Sequence, residues 1–428
     1  MRQFLYCSLL LFVLSWSSGE AKVTIEDIHL DKLEYISLIK RSGNYPLIQI
    51  YLMKYRPTTI LFSSMLLVFL SIGCRFDKKM ESAENQMRDA TSIDREYSPE
   101  AIILGFFPPD GTRNPTALSQ INTVKGPIDI SELGVSLTHE HIMSNYGKEI
   151  NKTSNYDSVQ LFNQVIPYLK NLKSLGVNSI FDCTTEYFGR RVDLLKRISE
   201  ATDIQIITNT GFYGAADDRY IPEFAYGASA KAISDLWIDE FKNGIQGTDI
   251  KPGFIKLAFD DGKPPSDIDK KLFEAGILTH LNTGLTLAVH TGSNREALES
   301  QMQLLKDNDI HPSAWIWTHA NKFKDDIVLL DLAAKGAWIS LDGVNQSNIS
   351  EYIRRLNLFK QKKLLHKILL SHDGNGFPSG DPIRGFEVIF KGLIPEMLTN
   401  GFTEDDIHQI LVRNPKEAFQ MRIRKNDD

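Results

Sequence analysis

Five short apolar runs in this sequence end in, or carry, side chains that bind divalent cations. Thr138-His139-Glu140-His141 closes the first, and Phe254-Ile255-Lys256-Leu257-Ala258 forms the second. Ala288-Val289-His290-Thr291-Gly292, Trp317-Thr318-His319-Ala320 and Leu370-Ser371-His372-Asp373-Gly374 close three more. On a strand, His139 and His141 share a face and reach one ion, while Glu140 points to the opposite face. Singly, each residue also has a plain structural reading: surface histidines for the H-x-H pair, core histidines for His290 and His319, a capping residue for Asp373. Lys256 is more informative, because an inward-facing lysine in an apolar strand carries a steep desolvation cost. Its amine either snorkels to the rim or is carboxylated by carbon dioxide to an anionic carbamate that bridges two cations. The shared position of all six at strand ends joins them into one candidate site.

The chemistry follows from the donors. Imidazole and carboxylate suit zinc, with manganese, cobalt or iron as alternatives. Two cations sharing one hydroxide make a nucleophile near neutral pH. Asp373 would ligate one of them and take the hydroxide proton as general base. The expected activity is metal-dependent hydrolysis of a small molecule.

Such a site needs a frame that brings distant runs to one end. From about residue 120, β-rich apolar runs alternate with longer helical stretches. The predicted strands are Val135–His139, Asn178–Cys183, Gln205–Asn209, Gly253–Ala258, Leu285–His290, Ala314–Thr318, Ala337–Leu341 and Lys367–Ser371. Helices are predicted over Ser158–Leu175, Arg191–Ala201, Ala230–Gly244, Ile268–Thr283, Arg295–Asp307, Asp325–Lys335 and Ile349–Lys362, and Pro382–Asn400 continues the pattern. The alternation implies a parallel sheet, and eight units suit a closed (β/α)8 TIM barrel with its site at the strand C-termini. The competing open doubly wound sheet usually carries a Gly-rich phosphate turn; the sequence has neither GxGxxG nor a P-loop. Trp315 and Trp317 alternate with His319 and are expected to pack inside the barrel.

The first 100 residues read as an address. Apolar runs from Met1 and from Met53 each have a basic flank and the length of a signal peptide. In the second, Lys54 and Arg56 precede an apolar stretch from Thr58 to Leu70. Ser71-Ile72-Gly73-Cys74 then resembles the motif at which bacterial lipoproteins are lipidated on cysteine. Met53 starts a complete signal by itself, which leaves translation of residues 1–52 open. The expected organisation is a targeting region over 1–74, with the lipoprotein signal at 53–74. A flexible polar tether over 75–100 and the hydrolase domain over 101–428 follow. The protein is expected to be exported to the cell envelope and lipid-anchored to a bacterial membrane through Cys74. The 428 residues carry a net charge of −6, 42% hydrophobic and 24% charged residues, which excludes a basic nucleic-acid-binding surface and permits a large core. Three cysteines, Cys7, Cys74 and Cys183, leave no disulfide framework in a processed chain and no thiolate zinc site.

Together these residues resemble the phosphotriesterase family of the amidohydrolase superfamily. The stretch from Ile121-Asn122-Thr123-Val124-Lys125-Gly126-Pro127 to the H-x-H pair is similar to the family's entry into strand one. Gly253-Phe254-Ile255-Lys256 resembles its carboxylated-lysine strand. His290-Thr291, Thr318-His319, Ser371-His372-Asp373 and the late Asn414-Pro415 follow in family order, over roughly residues 120–420. The resemblance implies one metal held by His139, His141 and Asp373, a second held by His290 and His319, and carboxylated Lys256 bridging them. It implies hydrolysis of an ester, lactone, amide or phosphoester. Tyr213 matches a tyrosine that lactonase members place beside the substrate. Asp342-Gly343 departs from their Asp-Arg, and the segment after Asp373 is shorter than theirs. Asp217, Asp218, Asp260 and Asp261, with Arg219, Lys263 and Arg384, are expected to form a solvated rim. The leading expectation is an ester or lactone hydrolase, with an amidase of a small N-acylated compound as the alternative. A non-catalytic ligand-binding lipoprotein is a third reading, and a homodimer is left open.

Overall fold

The computed structural model describes residues 120–146, 155–377 and 384–426, together with the backbone of two strands at 9–17 and 20–28. The chain divides into two compact units, Met1–Ser92 and Ile93–Asp428. In the first, β1 (Leu9–Ser17) and β2 (Glu20–Ile28) pair antiparallel, with Leu9 opposite Ile28; the signal-like run from Met1 supplies β1. The expected signal at 53–74, its Cys74 and the 75–100 tether lie outside the described residues. Among the described residues no helix is long and apolar enough to cross a membrane.

The second unit opens with a short hairpin, β3 (Gln120–Thr123) and β4 (Gly126–Asp129), closed at Gly126 with φ 118. Then come β5 (Ser136–Glu140), β6 (Ser179–Asp182), β7 (Gln205–Ile207), β8 (Asn209–Thr210) and β9 (Phe254–Ala258). They are followed by β10 (Leu287–His290), β11 (Trp315–Thr318), β12 (Trp338–Leu341) and β13 (Ile368–Leu370). Each predicted strand is present; the third is broken into β7 and β8 at Thr208. Parallel pairing runs in chain order, β5-β6-β7 in one sheet and β8 through β13 in the other.

Helices separate the strands: α1 (Ser158–Ser174), α2 (Val192–Thr202), α3 (Ala230–Asn243), α4 (Asp267–Thr283), α5 (Arg295–Asp307), α6 (Asp326–Ala334) and α7 (Ile349–Gln361). Their starts are chemically marked. Asp157 accepts from the Val159 and Gln160 amides, Ser266 and Asp269 form a capping box, and Asp325 accepts from the Ile327 amide. In α1, Leu161, Val165, Leu169 and Leu172 are buried at helical spacing. The result is a mixed α/β unit of parallel sheet and covering helices.

Period-two alternation sorts the strand side chains into two cores. Ile255, Leu257, Leu287, Val289, Trp315, Trp317, Ile339, Leu341, Ile368 and Leu370 join the larger cluster with the helix residues. Phe181, Cys183, Ile207, Phe254, Ala288, Ile316, Trp338 and Leu369 form a second cluster, closed off by Ile121, Leu133 and Phe419. Trp315 and Trp317 were expected inside; they belong instead to the helix-facing cluster, and Trp317 meets Phe323 edge-on at 5.0 Å. The reason is parity: Ile316 takes the inner face of β11.

Candidate metal centre

Moving along each strand from the inner cluster, the apolar residues give way to the polar ones singled out above. Lys256 follows Phe254, His290 follows Ala288, and Asp342 follows Trp338, each at an even step. Strand β5 reaches the same face by a different route. Its pairing with β6 slips between Leu137 and Glu140, a bulge that lets Leu137 join the helix-facing core while His139 turns to the site. Bulges beside active sites commonly re-aim a side chain in this way. His319 and Asp373 do so by backbone conformation, with φ 60 and φ 50, a region that non-glycine residues rarely occupy.

The six predicted ligands form one group, buried except for Asp373, whose side chain is 25% exposed. Donor atoms of His139, His319 and Asp373 lie within 4.8 Å of one another. His141 Nε2 is 3.4 Å from Asp373 Oδ1, and the His290 and His319 rings meet at 4.3 Å. Lys256, fully buried, donates from Nζ to His139 Nε2 at 3.2 Å.

Outer partners fix which nitrogen each imidazole turns inward. His139 donates from Nδ1 to Asp342 Oδ2 at 3.0 Å, and the His319 amide donates to the same oxygen at 2.7 Å. Asp342 is itself held by Ser340 Oγ at 2.6 Å. The Thr184 hydroxyl donates to Met143 O, so it accepts from His141 Nδ1, at 2.8 Å in both cases. Nε2 of both histidines thereby turns toward Asp373, where that of His139 accepts from Lys256. Burial, helped by Lys256, keeps His139 well below the usual imidazole range; burial and the neighbouring His290 do the same for His319. Burial lowers His290 too, against the pull of Asp261. Burial opposes ionisation of Asp373, yet His319, His141 and His139 outweigh it and hold the carboxyl well below its ordinary range. Imidazole nitrogens and a carboxylate oxygen converging within 4.8 Å are donors that borderline divalent cations take, so this donor set fits a metal centre.

Glu140 organises the loop that carries Asp373, a part that sequence reasoning did not give it. It does point away from the histidine face, as the strand parity requires. Buried there, its carboxylate accepts from Ser371 Oγ at 2.9 Å, the His372 amide at 3.0 Å, His372 Nδ1 at 2.8 Å and the Gly374 amide at 2.7 Å. His372 is in turn fixed through Nε2, which accepts from the Ile389 amide at 3.1 Å. Asp373 therefore sits in a loop whose neighbours on both sides are tied to one carboxylate. The only sequence signal was an acid set between two histidines at a strand end.

Tyr213 lies beside the ligands, with its hydroxyl 3.2 Å from His290 Nδ1 and its ring stacked on Phe188 at 4.8 Å. Two of the rim acids are matched: Asp217 with Lys263, and Asp261 with Lys322 at 2.9 Å. Asn414 and Pro415 lie away from the chemistry; Asn414 Nδ2 donates to Leu365 O at 2.7 Å and Ile368 O at 2.6 Å, pinning the start of β13.

Known proteins are similar to this chain in sequence. A phosphotriesterase homology protein of Mycobacterium tuberculosis is 27% identical over 324 residues, 71% of this chain and 98% of the relative. An aryldialkylphosphatase of Saccharolobus solfataricus is 26% identical over 312 residues, 69% of this chain and 98% of the relative. The human N-acetyltaurine hydrolase is 25% identical over 345 residues, 70% of this chain and 97% of the relative. The model of the phosphotriesterase family matches residues 119–419, a span that contains every strand and ligand candidate of the second unit, and the chain belongs to that family.

Proposed function

We propose that this protein is a binuclear metal-dependent hydrolase that cleaves an ester or lactone of a small molecule. The observation that carries the reading is the convergence of His139, His141, Lys256, His290, His319 and Asp373 on one buried point from five different strands or strand ends. The strands would form one closed (β/α)8 barrel. This is supported by the short step from β7 to β8 and by backbone bonds across the other seam: Asp373 N to His139 O at 3.1 Å and His141 N to Gly374 O at 2.9 Å.

His139, His141 and Asp373 would hold one cation, and His290 and His319 the other. Lys256, carboxylated on Nζ, would lie between them. An unmodified ammonium there would repel the cations, whereas a carbamate attracts them. Zinc suits the donors best, with manganese, cobalt or iron as alternatives. When bound, the cations supply a nucleophilic water at neutral pH and polarise the oxygen of the scissile group. Asp373, already ionised, receives the proton of the attacking water on a carboxylate oxygen and delivers it to the leaving group. Glu140 keeps Asp373 in place during that exchange, and Tyr213 borders the substrate.

Amide hydrolysis is the second reading. It is supported by the N-acetyltaurine hydrolases, as similar to this chain as the aryldialkylphosphatase is, and by Asp373, whose captured proton is what an amine leaving group needs. The test is a panel of lactones, aryl esters, N-acyl amines and phosphotriesters offered to metal-loaded protein. The reading predicts turnover of a carbonyl substrate that a chelator abolishes and added metal restores. Turnover no greater than that of Asp373→Asn on every substrate would overturn it in favour of a non-catalytic binding protein. The sequence from Lys54 to Cys74 supports export and lipid anchoring at the cell envelope.

A further inference from the structure

We infer that Arg384 selects substrates carrying a carboxylate or sulfonate a few bonds from the scissile group; this rests on the hydrolase reading above. Arg384 is built into the site by its backbone. Its amide donates to Asn375 O and its carbonyl accepts from the Asn375 amide, both at 3.0 Å. Asn375 is buried, donates from Nδ2 to Ser144 Oγ at 3.0 Å, and pairs in parallel with His141. A proposed metal ligand and the arginine thus share one short ladder.

The side chain is placed otherwise. It is 57% exposed, and its Nη1 stands 3.9 Å from Asp373 Oδ2. Formed guanidinium–carboxylate bonds are about 2.7–2.9 Å long, so this pair is adjacent without being closed. Among the described residues the guanidinium has no other ion-pair partner and donates no hydrogen bond. The lysines across the rim differ: Lys263 is engaged by Asp217, and Lys322 by Asp261 at 2.9 Å. Asp373 already faces three imidazoles, with Oδ1 3.4 Å from His141 Nε2 and 3.7 Å from His139 Nε2 and Oδ2 4.0 Å from His319 Nε2.

A guanidinium offers a planar fork of donors that matches an oxyanion group two-on-two. Standing beside the residue that handles the proton, it would grip an anionic group close to the bond being broken. Extended neutral substrates would gain nothing from it.

The experiment uses matched pairs on the metal-loaded full chain: 4-acetoxybenzoate with its methyl ester, and N-acetyl-β-alanine with its methylamide. The measured quantity is the ratio of kcat/KM for the anionic member to that for the neutral member. Wild type should favour the anion, and Arg384→Ala should lower the ratio by about 10–100-fold. Arg384→Lys, which keeps charge but loses the fork, should fall between them, and Arg384→Glu should favour the neutral member. A ratio that is the same in wild type and Arg384→Ala would overturn the inference, as would equal losses on both members. If wild type turns over none of the four, that result counts against the ester and amide arms of the hydrolase reading and leaves the role of Arg384 to binding. Calorimetric binding of 4-hydroxybenzoate against its methyl ester then still decides the role of Arg384. Tighter carboxylate binding that Arg384→Ala removes sustains it, and indifference to the substitution contradicts it.

Discussion

In the proposed mechanism Asp373 does two things at once, holds a cation and accepts a proton, and the two can be separated. Asparagine preserves the shape and an oxygen donor but cannot take a proton at neutral pH. Asp373→Asn should retain most of its metal and lose about 10²–10⁴-fold in kcat on a substrate with a poor leaving group. Near-normal turnover with metal bound would remove Asp373 from the proton path. Glu140 acts one layer out. In Glu140→Gln the new amide turns donor hydrogens toward a ring of donors from Ser371, His372 and Gly374. Loss of such outer support typically costs about 10–100-fold in activity or metal affinity. The loss should fall on kcat more than on KM, and Glu140→Asp should recover part of it. An unchanged kcat would mean that the loop holds Asp373 without this carboxylate.

Strand geometry explains both what could be foreseen in the sequence and what could not. The spacing of helical and strand runs marks the eight strands and seven helices to within a residue or two, whereas the stretch expected from Pro382 carries its helical elements over Ile389–Leu393 and Ile394–Thr399. Alternation by twos places Lys256, His290 and Asp342 on one face. The same rule fails at three points. The slip in β5 re-phases His139 relative to Leu137, and left-handed backbone turns His319 and Asp373; none of these leaves a local pattern to read. Glu140, Asp342 and Thr184 escaped for another reason: their partners are distant in sequence, 232 residues away for the bond from His372 Nδ1 to Glu140. One element-level contact is sharply testable. Gly211 follows β8 with φ 121, and a Cβ there would stand 2.1 Å from the carbonyl of Lys256. Gly211→Ala should therefore cost on the order of 1–3 kcal/mol or more. It should also weaken metal retention, because the strand that yields carries Lys256. A denaturation midpoint and metal content equal to wild type would show that β8 and β9 separate freely at this point.

At the scale of the whole chain, the second unit and the proposed N-terminal address are separate physical problems. Lipid attachment at Cys74 predicts that Cys74→Ser, expressed from Met53, moves the protein from the membrane to the soluble fraction with its hydrolytic activity intact. Retention at the membrane would assign anchoring to the apolar stretch itself. The central claim concerns the second unit: its strands exist, in this arrangement, to hold a pair of cations. Elemental analysis of purified protein, stripped and then reconstituted under carbon dioxide, tests it most directly. The account predicts close to two divalent ions per chain, falling below two in Lys256→Ala because the bridge is gone. A wild-type stoichiometry that never exceeds one, or a Lys256→Ala protein that still binds two ions and turns over normally, would contradict it.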